Sequence, residues 1–240
     1  MVPRFHLDAP LRAGSGAVLP EDSAHHAVHV LRLREGDEVT LFNGRGGEFA
    51  GRVASMQKLR ISIDVLQHRA IERESPLRVT LVQAVSAGER MDSTLRKAVE
   101  LGAAEIQPVL ATRSVARPKG ERADSRRAHW QKVVIAACEQ CGRNKVPEVQ
   151  PLVSVGDYRA AGTGMKLLLS PHSQQPLSKI SLPGNEFVLA AGPEAGFTDE
   201  EEAALVRAGF TPASLGPRVL RTETAAVAAL AALNALRGDS

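Results

Sequence analysis

Leu215-Gly216-Pro217-Arg218-Val219-Leu220-Arg221-Thr222-Glu223-Thr224-Ala225 is the stretch around which the rest of the chain is read. A Gly-Pro bend leads into a short apolar pair, then an Arg-Thr-Glu-Thr cluster, then a helix. Seven of the twelve residues from Ala225 to Leu236 are alanine, so that helix can pack closely against another backbone. A helix start needs one capping hydroxyl, which Thr222 or Thr224 supplies. Two hydroxyls, a carboxylate and a guanidinium exceed that need and point to a small polar ligand. Upstream, Gly192-Pro193-Glu194-Ala195-Gly196-Phe197-Thr198 directly follows an apolar run. Thr198 and Glu201 fit a capping box. The two glycines around Pro-Glu are left over; they let backbone approach a ligand at the carboxyl end of a sheet. The stretch has neither Gly-x-Gly-x-x-Gly nor a Walker lysine, so it is not a standard phosphate cradle. The two Gly-Pro turns are expected to face each other across one pocket.

The surrounding pattern is α/β. Leu77 to Val85 is a near-continuous apolar strand, as in a sheet covered on both faces. Asp92 to Leu101 reads as a helix stopped by Gly102, and Ile106 to Leu110 as the next strand. Ser125 to Cys141 is a long helix with Trp130, Val133, Val134, Ala137 and Cys141 as its buried stripe. Lys166 to Ser170, Phe187 to Ala191 and Ala213 to Leu215 are further strands, giving a largely parallel sheet. Residues 1–70 form a smaller β-rich domain, and Ala70 to Pro76 a charged linker into a second domain, 71–240. In the first, Glu38 to Phe42 and Glu48 to Ala54 flank a hairpin turn at Asn43-Gly44-Arg45-Gly46-Gly47. Leu59 to Val65 alternates at period two, and Ser23 to Leu31 is a short helix with Ser23 as cap.

The composition is that of a soluble globular chain: 43% hydrophobic and 24% charged. No apolar run reaches membrane-spanning length, and the N-terminus has no signal core, so a cytoplasmic protein is expected. Two cysteines do not make a disulfide framework. The net charge of +3 is uneven. Between Arg113 and Lys145 nine basic residues oppose three acidic ones, leaving that segment at +6 and the remainder at −3. Such a segment is either a solvated helix face or a surface for a polyanion.

Three motifs have plainer readings beside the functional ones. His25 and His29 stand at i, i+4, a chelating spacing, but no acid or cysteine completes a site and no metal is expected. Cys138-x-x-Cys141 lies at the C-terminal end of its helix, the wrong end for a stabilised thiolate, so packing is the reading. Glu139-Gln140-Cys141-Gly142-Arg143-Asn144 puts more polar groups at a helix end than a glycine stop requires.

As an ordered set, these residues resemble the SPOUT methyltransferases, and within them the RsmE family of ribosomal RNA small-subunit uridine N3 methyltransferases. The resemblance covers nearly the whole chain. It rests on Pro3-Arg4-Phe5, His25-His26-Ala27-Val28-His29-Val30-Leu31-Arg32, Gly36-Asp37, Lys97-Ala98-Val99-Glu100-Leu101-Gly102, Glu139-Gln140-Cys141-Gly142-Arg143, Gly192-Pro193-Glu194 and Leu220-Arg221-Thr222-Glu223-Thr224-Ala225. The family usually has glycine where Ala195 stands and serine where Cys141 stands. The resemblance implies a small N-terminal PUA-like β-barrel that binds RNA. It also implies a C-terminal α/β SPOUT domain with a parallel sheet and a trefoil knot, acting as a homodimer on small-subunit rRNA or the 30S subunit.

It implies S-adenosylmethionine as cofactor, held by Leu169, Gly192, Pro193, Glu194, Leu215, Gly216, Leu220 and Thr222. The expected reaction is methyl transfer to N3 of a uridine in 16S rRNA. N3 must lose or share its proton, and as part of the Watson–Crick edge it must be unpaired. Arg221, Glu194 and Glu223 are the catalytic candidates: Arg221 for a developing uracil anion or the target phosphate, the two glutamates as proton acceptors. Glu223 is equally readable as the structural partner of Arg221. Arg4, Arg32, Arg113, Arg143 and Lys145 are the RNA-contact candidates. The alternatives are a SPOUT ribose 2′-O-methyltransferase and a non-catalytic rRNA-binding assembly factor.

Overall fold

The computed structural model describes residues 2–58 and 60–238. It divides into two compact units, Met1–Glu74 with Cys138–Val146, and Ser75–Ala137 with Pro147–Ser240. The sequence suggested one boundary, 1–70 against 71–240; the compact units instead begin the second at Ser75 and return a nine-residue segment to the first.

In the first unit, β1 (Arg4–His6), β2 (Gly16–Val18), β3 (Glu38–Phe42), β4 (Glu48–Gln57) and β5 (Arg60–Arg69) form one sheet in the order β1-β3-β4-β5-β2. β1 lies parallel to β3 and the other pairs are antiparallel. Leu59, the expected start of the strand continued by β5, lies outside the described residues. Between β3 and β4, Gly44, Gly46 and Gly47 all have positive φ, the backbone that the hairpin sequence anticipated. Phe5, Leu41, Val53, Ile61 and Ile63 fill the core with Ala24 and Ala27 of helix α1 (Glu21–His29). Ser23 does not cap α1. The helix begins two residues earlier, after Pro20, with Glu21 and Asp22 in its first turn, where acids suit the dipole.

The second unit is built on parallel strands: β6 (Arg78–Ala84), β7 (Ala103–Leu110), β8 (Glu148–Val149), β9 (Val153–Ser154), β10 (Met165–Leu169), β11 (Glu186–Ala191) and β12 (Thr211–Ala213). The order is β12-β10-β11-β6-β7-β8, with β9 also on β7, and every pairing is parallel. Both faces are covered, which is why the strands read as unbroken apolar runs. One face sets Leu81, Leu167, Leu189 and Ala191 against Ala226, Ala229, Leu230 and Leu233 of helix α5 (Thr222–Arg237). The other sets Val82, Leu168, Val188 and Ala190 against Leu205 of helix α4 (Asp199–Arg207) and Phe210. Pro212, which has no N–H to donate, sits on the edge strand β12.

Helix α2 (Glu89–Glu100) packs on α5, and Gly102, at φ 83°, turns the chain away after it. Helix α3 (Glu121–Cys141) has Trp130, Val134, Ala137 and Cys138 as its buried positions. This corrects the expected stripe: Cys138 is the buried cysteine, and Cys141 is half-exposed. Burial pushes the Cys138 thiol up to about 12, so it is a packed thiol and not a nucleophile.

Candidate active site

Because all strands of the second unit run the same way, their carboxyl ends share one edge. The chain leaves β6 toward β7 on one side and later fills β10, β11 and β12 on the other. The topological switch point therefore falls between the neighbours β6 and β11, where open α/β sheets bind ligands. Among the connections that leave that edge are those after Ala84, Leu169, Ala191 and Ala213.

The turn after β11 is tight. A Cβ on Gly192 would stand 3.1 Å from the Phe197 amide nitrogen, a tight approach that would press on the backbone of the loop. Gly196, at φ 71°, donates its N–H to the Pro193 carbonyl at 2.9 Å. Arg113 braces the loop from outside, its Nη1 donating to the carbonyls of Ala195 (3.2 Å) and Phe197 (3.1 Å). Thr198 then caps α4 in a complete capping box with Glu201, as the spacing anticipated.

The turn after β12 bends at Gly216, at φ 103°. Between it and the end of β10 lies a small space of about 60 Å3. Leu169, Leu215, Gly216 and Leu220 line it, four of the expected cofactor residues. Ser170, Pro171, Ala213, Arg218 and Ala225 line it as well and were not anticipated. Arg218 brings the one cationic side chain of this lining, and no carboxylate joins it. The remaining expected cofactor residues, Gly192, Pro193, Glu194 and Thr222, do not line this space.

Thr222 does join the two turns. Its hydroxyl donates to the Gly192 carbonyl at 2.6 Å, so the first helical residue of α5 is tied to the end of β11. It is therefore not the helix cap. α5 begins after Arg221 with no side-chain capping bond. Arg221 is exposed and makes no ion pair among the described residues; the Arg221–Glu223 bridge left open by the sequence is not formed.

The two candidate carboxylates differ. Glu194 is a clamp: Oε1 accepts from the Ala87 amide at 2.9 Å and from Arg90 at 3.1 Å, holding the segment between β6 and α2. Burial alone would raise its carboxyl. The hydrogen bonds from Ala87 and Arg90 outweigh that and leave it below its ordinary value, a poor proton acceptor. Each of the two carboxylates has a buried Oε2 with no partner among the described residues, but Glu223, unlike Glu194, makes no hydrogen bond among them through its other oxygen. A buried carboxylate oxygen left unpaired is costly, so it marks a place where a donor belongs.

Two expected RNA contacts are corrected. Arg4 is enclosed in the first unit: Nη1 pairs with Glu48 at 2.8 Å and Nη2 donates to Asn144 Oδ1 at 2.6 Å. Arg143 holds Glu74 through Nε and Nη2, its side chain 4% exposed. Charge that is buried and already paired is not offered to a phosphate. Arg32 and Lys145 are exposed, and Arg32 adopts a left-handed φ of 54°. His25 and His29 hold their ring centroids 4.3 Å apart, tilted by 45°, on the exposed side of α1. Among the described residues no cluster of His, Cys, Asp or Glu is arranged to hold a metal, and no helix is long and apolar enough to cross a membrane.

Residues 73–234 match the model of the RNA methyltransferase domain, and residues 19–66 that of the RNA methyltransferase PUA domain. The ribosomal RNA small subunit methyltransferase E of Buchnera aphidicola (subsp. Acyrthosiphon pisum) is 30% identical over 240 residues, covering 99% of this chain and 95% of its own. That of Bacillus subtilis is 32% identical, covering 91% of each chain. Among solved structures, a ribosomal RNA small subunit methyltransferase E from Neisseria gonorrhoeae bound to S-adenosyl methionine superposes with a TM-score of 0.94 at 42% identity, over 100% of this chain and 99% of the other. By these matches over nearly its whole length, the chain belongs to the ribosomal RNA small subunit methyltransferase E family.

Proposed function

We propose that the protein transfers a methyl group from S-adenosylmethionine to N3 of a uridine in small-subunit rRNA. The observation that carries the cofactor reading is the space between the Gly216 turn and the end of β10. Apolar side chains of Leu169, Leu215 and Leu220 line it, with one cation, Arg218, and glycine backbone at the sheet's carboxyl edge. Those residues suit a ligand with an aromatic base and a carboxylate. They also put no anion of the lining beside a sulfonium, whose charge is consumed as its methyl leaves. Bound there, the cofactor supplies an electrophilic methyl carbon. The relatives' names support rRNA of the small subunit as the substrate.

The chain's own groups supply the rest. Arg221, exposed at the mouth of α5, stands ready for the anion that uracil becomes as N3 gives up its proton, or for the phosphate of the target nucleotide. Glu223, two residues on and with an unpartnered oxygen, accepts that proton. Glu194 keeps the β6–α2 segment in place and takes no proton. On the first unit, Arg32 and Lys145 meet RNA phosphates. The PUA-like fold of residues 1–70, a knotted SPOUT core within 71–240, a homodimer and a cytoplasmic location complete the reading.

Nucleoside analysis of rRNA from a deletion strain, before and after restoring the gene, tests it. Loss and recovery of N3-methyluridine is the expected result. Loss of a 2′-O-methylated nucleoside instead would overturn the N3 assignment, and no change in any methylated nucleoside would favour a binding factor without catalysis.

A further inference from the structure

Gln83 is the last but one residue of β6, wholly buried, and in the sheet it lies beside Ala191, the residue before Gly192. Its Nε2 donates to the Ala84 carbonyl at 3.0 Å and reaches Thr222 Oγ1 at 3.1 Å. The direction of that second bond follows from chemistry. A carbonyl only accepts, so the single hydroxyl proton of Thr222 is committed to Gly192 O at 2.6 Å. Thr222 must therefore accept from Gln83, which fixes the amide with nitrogen toward Thr222. The result is a one-way relay, Gln83 N–H to Thr222 O–H to Gly192 C=O, whose bonds polarise one another in a dry setting.

We infer that Gln83 is the positioning residue of the cofactor site, fixing the Gly192 turn and the first turn of α5 against each other through Thr222. The inference rests on the cofactor reading above. β6 and β11 flank the switch point, and α5 enters beside them; the relay is the hydrogen-bonded link joining all three. An apolar side chain of the same length would fill the site without an orphan, yet Gln83 Oε1 is buried with no partner among the described residues. A polar group retained there at that cost serves the two bonds its nitrogen makes. Without Thr222 the Gly192 carbonyl loses its donor, and without Gln83 the hydroxyl is no longer held toward it; the first turn of α5, whose Ala225 lines the cofactor space, then gains freedom that the cofactor must remove on binding.

The test uses the full chain with Gln83→Met, Thr222→Val, the double variant and Thr222→Ser. The expected result for Gln83→Met is an S-adenosylmethionine Kd raised about tenfold by calorimetry, with KM for the cofactor rising in parallel and kcat changed less than about threefold. Thr222→Val should do the same, and the double variant no worse than either single, because one broken link already opens the relay. Thr222→Ser, which keeps the hydroxyl, should recover most of the affinity. Independently of any ligand, hydrogen exchange in cofactor-free Gln83→Met should quicken at Gly192–Phe197 and the first turn of α5, while α3 keeps its protection.

Wild-type affinity in Gln83→Met, or multiplicative losses in the double variant, would overturn the relay. So would uniform acceleration of exchange across the chain, which marks general destabilisation. Failure of the wild-type protein to bind S-adenosylmethionine at millimolar concentration would overturn the cofactor reading instead; the exchange experiment would still decide whether the relay holds the loop.

Discussion

Arg4→Met separates a structural guanidinium from an RNA-binding one. Arg4 has a side chain 8% exposed against a Glu48 side chain 5% exposed, and its guanidinium lies 5.1 Å from the centroid of the Phe42 ring. It donates to Glu48 and Asn144 and, at 3.2 and 3.4 Å, to the carbonyls of Gly142 and Arg143. Removing one partner of a buried ion pair costs about 3–5 kcal/mol. Here Arg73 (3.0 Å) and Asn144 (3.3 Å) remain on Glu48, and methionine keeps contact with Phe42, so the low end, about 3 kcal/mol, is expected. For a chain of this size that is a fall in melting temperature of roughly 6–12 °C. The assay pairs thermal unfolding with binding to small-subunit rRNA across a salt series at 25 °C. Arg4→Met should lose stability and keep the wild-type salt slope. Lys145→Ala, at an exposed position, should do the reverse, with melting little changed and the slope shallower by about 0.7–0.9. An Arg4→Met protein that melts like wild type but shows the shallower slope would refute the structural assignment and restore Arg4 as an RNA contact.

Two further outcomes concern the site and one the first unit. Glu223→Gln should lower kcat by about 10²–10⁴ with cofactor Kd within about threefold, whereas Glu194→Gln, which loosens a clamp, should lower kcat by less than about tenfold; the opposite pattern in single-turnover assays would exchange their roles. Arg221→Ala should cut kcat far more than cofactor affinity, and equal losses in both, measured by kinetics and calorimetry, would move Arg221 into cofactor binding. The Glu48 carboxyl is opposed by burial but held below its ordinary 4.5 by Arg4, Arg73 and Asn144. Its contribution to stability is therefore present above that value and lost as pH falls through the lower folded one; a denaturation midpoint insensitive to pH below about 4.5 in wild type, or equally sensitive in Glu48→Gln, would contradict this.

What could be read from the chain alone follows from period and punctuation. The apolar runs that became β6, β10 and β11 are buried on two faces, and glycines at positive φ ended α2 and α3 where expected. β1, β2, β8 and β9 are two or three residues long and escaped notice, because so short a segment has no measurable alternation and owes its conformation to the strand beside it. The same holds for the site. Its glycines and the Arg-Thr-Glu-Thr cluster stood out because local chemistry did not need them. Polarity alone, however, cannot tell a charge aimed at a ligand from one aimed inward: Arg4 and Arg143 lie within the motifs as plainly as Arg221 does, and only partners distant in sequence, Glu48 and Glu74, reveal them as struts. Gln83 shows the converse. A lone glutamine in an apolar strand carries no signal until Thr222, 139 residues away, is seen to accept its proton. Cofactor loops in such a sheet are therefore advertised by their own glycines, while the groups that hold them still sit on neighbouring strands, silent in sequence.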